Sequence, residues 1–194
     1  MVCNRLLSKF ACSVAVCTCV IMNQSGCSSS SELPDDQTAP GRTTGTVIED
    51  QAIEMKAMRY LAKDANIKER THSNVTSYNT VALVTGEAPT EELHAAVIAT
   101  VRNVEKVSKV YDEVAIAGPS SLTSRTSDTL LTGKVKTQLF SSKKVQATHI
   151  KVVTERGVVY LMGLVPKSQG DEAAEIARRV GGVQKVVKLF EYSD

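Results

Sequence analysis

The chain repeats itself, and a repeat of this length restricts the fold more than any other feature. At a constant offset of 78 residues, DQAIEMKAMRYLAKDANI (Asp50–Ile67) lies over DTLLTGKVKTQLFSSKKV (Asp128–Val145). Asp50 meets Asp128, Ile53 meets Leu131, Lys56 meets Lys134, Leu61 meets Leu139 and Ile67 meets Val145. After a slip of one residue, His72 meets His149, Gly86 meets Gly163 and Pro89 meets Pro166. After two inserted residues, VRNVEKV (Val101–Val107) meets VGGVQKV (Val180–Val186). Small slips at loops, with apolar positions kept in step, are what duplication of a folded unit leaves behind. The chain therefore holds two copies of one unit of about 70 residues, joined by GPSSLTSRT (Gly118–Thr126).

Both copies parse alike. Asp50 or Asp128 is expected to open an amphipathic helix; in the second copy Leu131, Val135 and Leu139 recur every four residues and give one core-facing stripe. A β-hairpin follows, SNVTS with TVALVTG and IKVVT with VVYLMG, turning at Tyr78-Asn79 and Arg156-Gly157. A second helix comes next. Thr90 caps it in the first copy, with Glu91 and Glu92 in its first turn and Leu93, Val97 and Val101 along one side. In the second copy Asp171 and Glu172 are expected to start it and Arg178-Arg179 to end it, before Gly181-Gly182. A last strand, Lys106–Ile116 or Gln184–Tyr192, completes the unit. The order is α-β-β-α-β, an α+β fold in which two helices cover one face of a small mixed sheet.

This αββαβ unit resembles the BON domain, named for bacterial OsmY and nodulation. The resemblance rests on the V-x-G-x-x-P after the second strand, on a loose A-x-x-V-x-x-V-x-x-V around Ala174–Val186, and most densely on Ser127–Val165. A lipoprotein leader, a tether and two tandem BON domains together resemble the two-domain outer-membrane lipoproteins of that family. The resemblance implies a non-enzymatic protein that binds anionic phospholipid and supports outer-membrane integrity.

The leader is read from residues 1–26. Arg5 and Lys9 precede the apolar or small run FACSVAVCTCVIM (Phe10–Met22), and no acidic residue appears before Glu32. That is the pattern of a secretory signal, and thirteen residues are too few for the ~20 of a spanning helix. Ser25-Gly26-Cys27 resembles a lipobox, although Gln24 stands where the pattern has an aliphatic residue. All five cysteines lie at or before Cys27, so the remaining chain has no thiol for a disulfide, and Cys27 is expected to be the acylated residue. Two or three acyl chains would anchor it firmly, at about 0.8 kcal/mol per buried methylene. Ser28 occupies the place where aspartate holds many lipoproteins in the inner membrane, so the resemblance implies the outer membrane, facing the periplasm. Ser-, Thr-, Pro- and Gly-rich residues up to 46 read as a flexible tether. The expected organisation is thus a leader (1–26), an acylated cysteine and tether (27–46), a first unit (47–118), a linker (119–126) and a second unit (127–194).

Motifs of catalysis are missing from the sequence: there is no HExxH, GxSxG, P-loop or CxxC. His72 and His149 occupy matched places before the first strand of each unit, which favours a shared structural role, and His94 stands near Glu91 and Glu92. Scattered histidines without cysteine give a poor basis for a zinc site, so neither a metal nor another cofactor is expected. Charge divides the units. Residues 47–118 carry 8 basic and 11 acidic side chains, and residues 127–194 carry 11 and 7, so the balances are −3 and +4. The basic half could meet nucleic acid or a membrane; the leader, the lack of tryptophan and the lack of interleaved aromatics argue against nucleic acid. On the first helix of the second unit, Leu130, Gly133, Thr137 and Phe140 form a nearly uncharged patch, with Lys134 and Lys136 beyond opposite edges. Apolar residues flanked by lysines are the design of an interfacial helix. This surface is expected to hold anionic phospholipid, phosphatidylglycerol or cardiolipin. Two alternatives stand beside it. One is an adaptor whose sheets or domain interface recruit an envelope assembly protein while the acyl chains supply all membrane affinity; the other is a soluble periplasmic osmotic-stress protein.

Overall fold

A computed structural model describes residues 43–118 and 120–193. The leader, Cys27 and the tether up to residue 42 lie outside the described residues. The first unit runs α1 (Thr44–Lys63), α2 (Ala65–Arg70), β1 (His72–Tyr78), β2 (Val81–Ala88), α3 (Glu91–Arg102) and β3 (Lys109–Ile116). The second runs α4 (Leu122–Ser141), β4 (Ile150–Glu155), β5 (Val158–Val165), α5 (Lys167–Arg178) and β6 (Lys185–Tyr192), with a 3-10 turn at Ala147–His149. In each sheet the middle strand, β2 or β5, pairs antiparallel with its hairpin partner and parallel with the last strand. The parallel pair needs a crossover, and α3 or α5 supplies it.

Each unit buries its own core between helices and sheet. Ile53, Ala57 and Leu61 of α1 meet Val75, Ala82 and Val84 of the first sheet and Val97 and Val101 of α3. Val135 and Leu139 of α4 meet Val152, Val159 and Leu161 of the second sheet and Ala173, Ala174 and Ala177 of α5. A third cluster was not anticipated. Tyr78, Val81 and Leu83 on the far face of the first sheet pack against Tyr160, Met162 and Leu189 on the far face of the second. The described chain is therefore four layers deep: helices, sheet, sheet, helices. The sequence carries the sign of it, because β2 is buried at every position and its run VALV does not alternate.

The duplicated residues have physical causes. Asp50 and Asp128 do not open their helices, which begin at Thr44 and Leu122 and are capped by the hydroxyls of Thr43 and Ser121. Both aspartates are buried one to two turns inside and hold the hairpin turns. Asn79 and Thr80 donate backbone N–H bonds to the Asp50 carboxylate, each at 2.8 Å, and the Ser77 hydroxyl donates a third at 2.7 Å. Arg156 and Gly157 donate to Asp128 in the same way, each at 2.8 Å. The first turn falls at Asn79-Thr80 rather than Tyr78-Asn79. Both of its central residues have positive φ, as do Arg156 and Gly157, the twist-matched hairpin turn. The carboxylate beneath it offsets the strain of placing Thr80 there.

The matched histidines share a role through their backbones. A Cβ on Gly86 would collide with the carbonyl of His72, and one on Gly163 with that of His149. Hence the glycine of V-x-G-x-x-P. Two boundaries also move. Helix α4 starts at Leu122, within the stretch expected to link the units. Helix α5 starts at Lys167, one turn before Asp171, with Pro166 at its N-cap.

Candidate functional sites

Helix α4 offers the surface singled out above. Leu131, Val135 and Leu139 turn inward and are buried. Leu130 and Phe140 turn outward, each 63% exposed. Gly133 lies between them with nothing within 4 Å of where a side chain would begin. Since Asp128 is buried and Arg125 half-buried, the fully exposed charges of α4 are Lys134 and Lys136. They diverge as expected. Lys134 lines a groove of about 690 Å³ between α4 and α5 with Gly133, Thr137, Ile176, Arg179 and Val180. Lys136 lines a cleft toward α1 with Val47 and Gln51. Sequence reasoning missed Arg179, Ile176 and Val180, which only the packing of α5 brings beside α4. All the residues proposed for the patch are on one helix, so its periodicity alone could find them.

A second polar group lies between the two sheets. His72 of β1 and Glu87 of β2 are cross-strand partners on the inter-sheet face, with His72 Nδ1 3.5 Å from a Glu87 carboxylate oxygen. Glu155, at the end of β4, faces them from the second unit; one ligand atom from each of the three lies within 4.8 Å of the others. Glu87 is 1% exposed and Glu155 is 9% exposed. Among the described residues neither Glu87 oxygen has a hydrogen-bond donor, nor does His72 Nδ1 have a partner. Burial first, then the negative charges of Glu87 and Asp128, push the Glu155 carboxyl up to about 7, against the opposing pull of Arg125 and Arg156. The sequence left these three apart because two strands and a second unit are needed to assemble them. At the matched place in the other unit stand His149, Leu164 and Tyr78, and the Tyr78 hydroxyl donates to the His149 carbonyl at 3.0 Å. The histidine side chains thus do not share a role. His94 bonds Asp112 of β3 at 3.0 Å rather than Glu91 or Glu92.

With two αββαβ units on the page, the comparison with known proteins is direct. The BON domain family matches residues 49–118 and 127–194, and the chain belongs to it. Outer membrane lipoprotein DolP of Haemophilus influenzae is 39% identical over 153 residues, 79% of each chain. The 21 kDa hemolysin of Actinobacillus pleuropneumoniae is 35% identical over 81% of this chain and 82% of its own. Osmotically-inducible protein Y of Escherichia coli K12 is 33% identical over 73% and 72%. The chain is a two-BON lipoprotein of the outer membrane. No helix among the described residues is long and apolar enough to cross a bilayer.

Proposed function

We propose that the second BON domain binds anionic phospholipid through the outer face of α4 and the groove it shares with α5, without catalysis, and so helps maintain the outer membrane from its periplasmic side. One observation carries the reading: Leu130 and Phe140 stand exposed around a bare glycine on a helix whose fully exposed charges are all positive. Two large apolar side chains can enter a headgroup layer, and Lys134, Lys136 and Arg179 then meet phosphate. Gly133 is costly in mid-helix, by about 0.5–1 kcal/mol relative to Ala, and no neighbour requires it. A bare backbone does let a lipid approach. Val47 and Gln51 of α1 share a cleft with Lys136.

The test is co-sedimentation of residues 28–194, made without acyl chains, with phosphatidylglycerol and with phosphatidylcholine vesicles. The parent should pellet with the anionic vesicles alone, and Leu130→Glu/Phe140→Glu should stay in solution. A folded double variant that pellets like the parent overturns the reading. A second reading, an adaptor for an envelope assembly protein, is favoured by the exposed Met55 and Met58 of α1, flexible side chains suited to varied protein surfaces; the acyl chains would then supply all membrane affinity.

A further inference from the structure

We propose that His72, Glu87 and Glu155 bind a divalent transition cation, with Zn²⁺ as its representative, which ties the first BON domain to the second. The inference is independent of lipid binding. Glu87 is fully buried with both carboxylate oxygens lacking a donor, and buried carboxylates are otherwise paired, hydrogen-bonded or metal-bound. Across the sheet interface the residue facing it is a second carboxylate, Glu155, which adds repulsion instead of relief. A dication would neutralise both. The neighbouring imidazole presents Nδ1, also without a hydrogen-bond partner, toward the same point.

The duplicated end of the interface supplies a control within the same molecule. Tyr78 stands there in the place of Glu155 and Leu164 in the place of Glu87, and the Tyr78 hydroxyl donates to the His149 carbonyl. The fold itself therefore does not require two carboxylates and an imidazole at this position. One nitrogen and two carboxylate donors suit Zn²⁺ or Mn²⁺, whereas Mg²⁺ and Ca²⁺ favour sites built of oxygen alone. Separations of up to 4.8 Å would have to close, to about 3.4 Å for a tetrahedral zinc. Half-exposed His72 can rotate to do so, and it lines with Glu155 an open cleft of about 590 Å³ that admits the ion and leaves water as the remaining ligand. Arg125 and Arg156 oppose binding, being close enough to Glu155 to stabilise its charge.

The experiment is titration of the chelator-treated mature protein, both domains intact, with ZnCl₂, MnCl₂ and MgCl₂ by calorimetry, with native mass spectrometry for stoichiometry. One equivalent of Zn²⁺ should bind and raise Tm by several degrees, while Mg²⁺ gives no heat. Glu87→Gln and Glu155→Gln, on opposite domains, should each weaken Zn²⁺ by about tenfold or more. Without metal, both variants should melt no lower than the parent, since each removes an unrelieved charge; this separates lost ligation from lost folding. His94→Gln should leave binding intact, which disposes of the surface His94–Asp112 pair as the site. Absence of saturable Zn²⁺ binding, or binding unchanged in Glu87→Gln and Glu155→Gln, overturns the proposal and leaves a shared proton as the source of relief.

Discussion

Helices α1 and α4 are the same helix twice, and their two faces have parted company. Their inner faces are interchangeable: Ile53, Ala57 and Leu61 match Leu131, Val135 and Leu139, and Asp50 matches Asp128 beneath a hairpin turn. Their outer faces are not. Ala52, Met55, Arg59 and Ala62 occupy the places of Leu130, Gly133, Thr137 and Phe140. On α1, Lys56 is engaged by Glu105 and Glu54 by Lys151, partners that lie outside the helix. On α4 the two exposed lysines have no acidic neighbour on their own helix. Folding restrains the inner face in both copies alike, because the same sheet must be covered and the same turn held. The outer face carries no such demand and was free to specialise.

The largest expected effects break the part the helices share. Val135→Asp places an unpartnered charge at a position with no exposure, and should unfold the second domain outright. Asp50→Ala and Asp128→Ala should each cost several kcal/mol, at about 1.5–3 for each bond to a charged acceptor. Asp50 receives at least three bonds and Asp128 at least two, so the first should be the worse. Denaturant unfolding measures both. Equal costs would mean that the third bond, from Ser77, contributes nothing.

Much of this was legible in the sequence. The repeat, the hairpins and the inward stripes are local patterns, and they gave the αββαβ order and the outer patch of α4. The aspartates misled because a carboxylate near a helix start usually caps it, and nothing local shows a turn 28 residues away reaching back to it. The sheet-on-sheet interface was foreshadowed by apolar runs that do not alternate, VALV and VVYLM. Glu87, a charge at the end of such a run, was the one visible trace of the interdomain cluster. Its partners come from β1 and from the other domain, so no spacing rule could have joined them.

Intermediate effects should fall on one helix and spare its twin. Leu130→Glu with Phe140→Glu should lose a few kcal/mol of affinity for phosphatidylglycerol vesicles, since each large side chain contributes roughly 1.5–3 at full burial. Ala52→Glu with Ala62→Glu, the matched pair on α1, should lose almost none. Equal losses would erase the distinction between the helices. Lys134→Glu and Lys136→Glu should cost about 1 kcal/mol for each positive charge lost, and that share should fade as salt is raised. Gly133→Ala sharpens the contrast further. It should stabilise the domain by about 0.5–1 kcal/mol, the open space there accepting a methyl group, while weakening vesicle binding if lipid approaches that backbone.

The smallest effect concerns the matched histidines. Burial holds the His149 side chain below the ordinary histidine range. A histidine lowered in this way binds fewer protons folded than unfolded. Its contribution to stability is therefore fully present above the unfolded pKa, about 6.5, and is lost as pH falls through that value toward the folded one. His149→Gln cannot take up the proton, so its unfolding midpoint should fall less than the parent's between pH 7.5 and about 5. The ring is half-buried, and solvent screening keeps the difference small. Its carbonyl, which accepts the Tyr78 hydroxyl and covers Gly163, is unchanged by the substitution, so stability at pH 7.5 should hold. A variant already weakened at pH 7.5 would show that the imidazole itself packs at this end of the interface. The two histidines would then differ in their partners and not in whether their side chains are used.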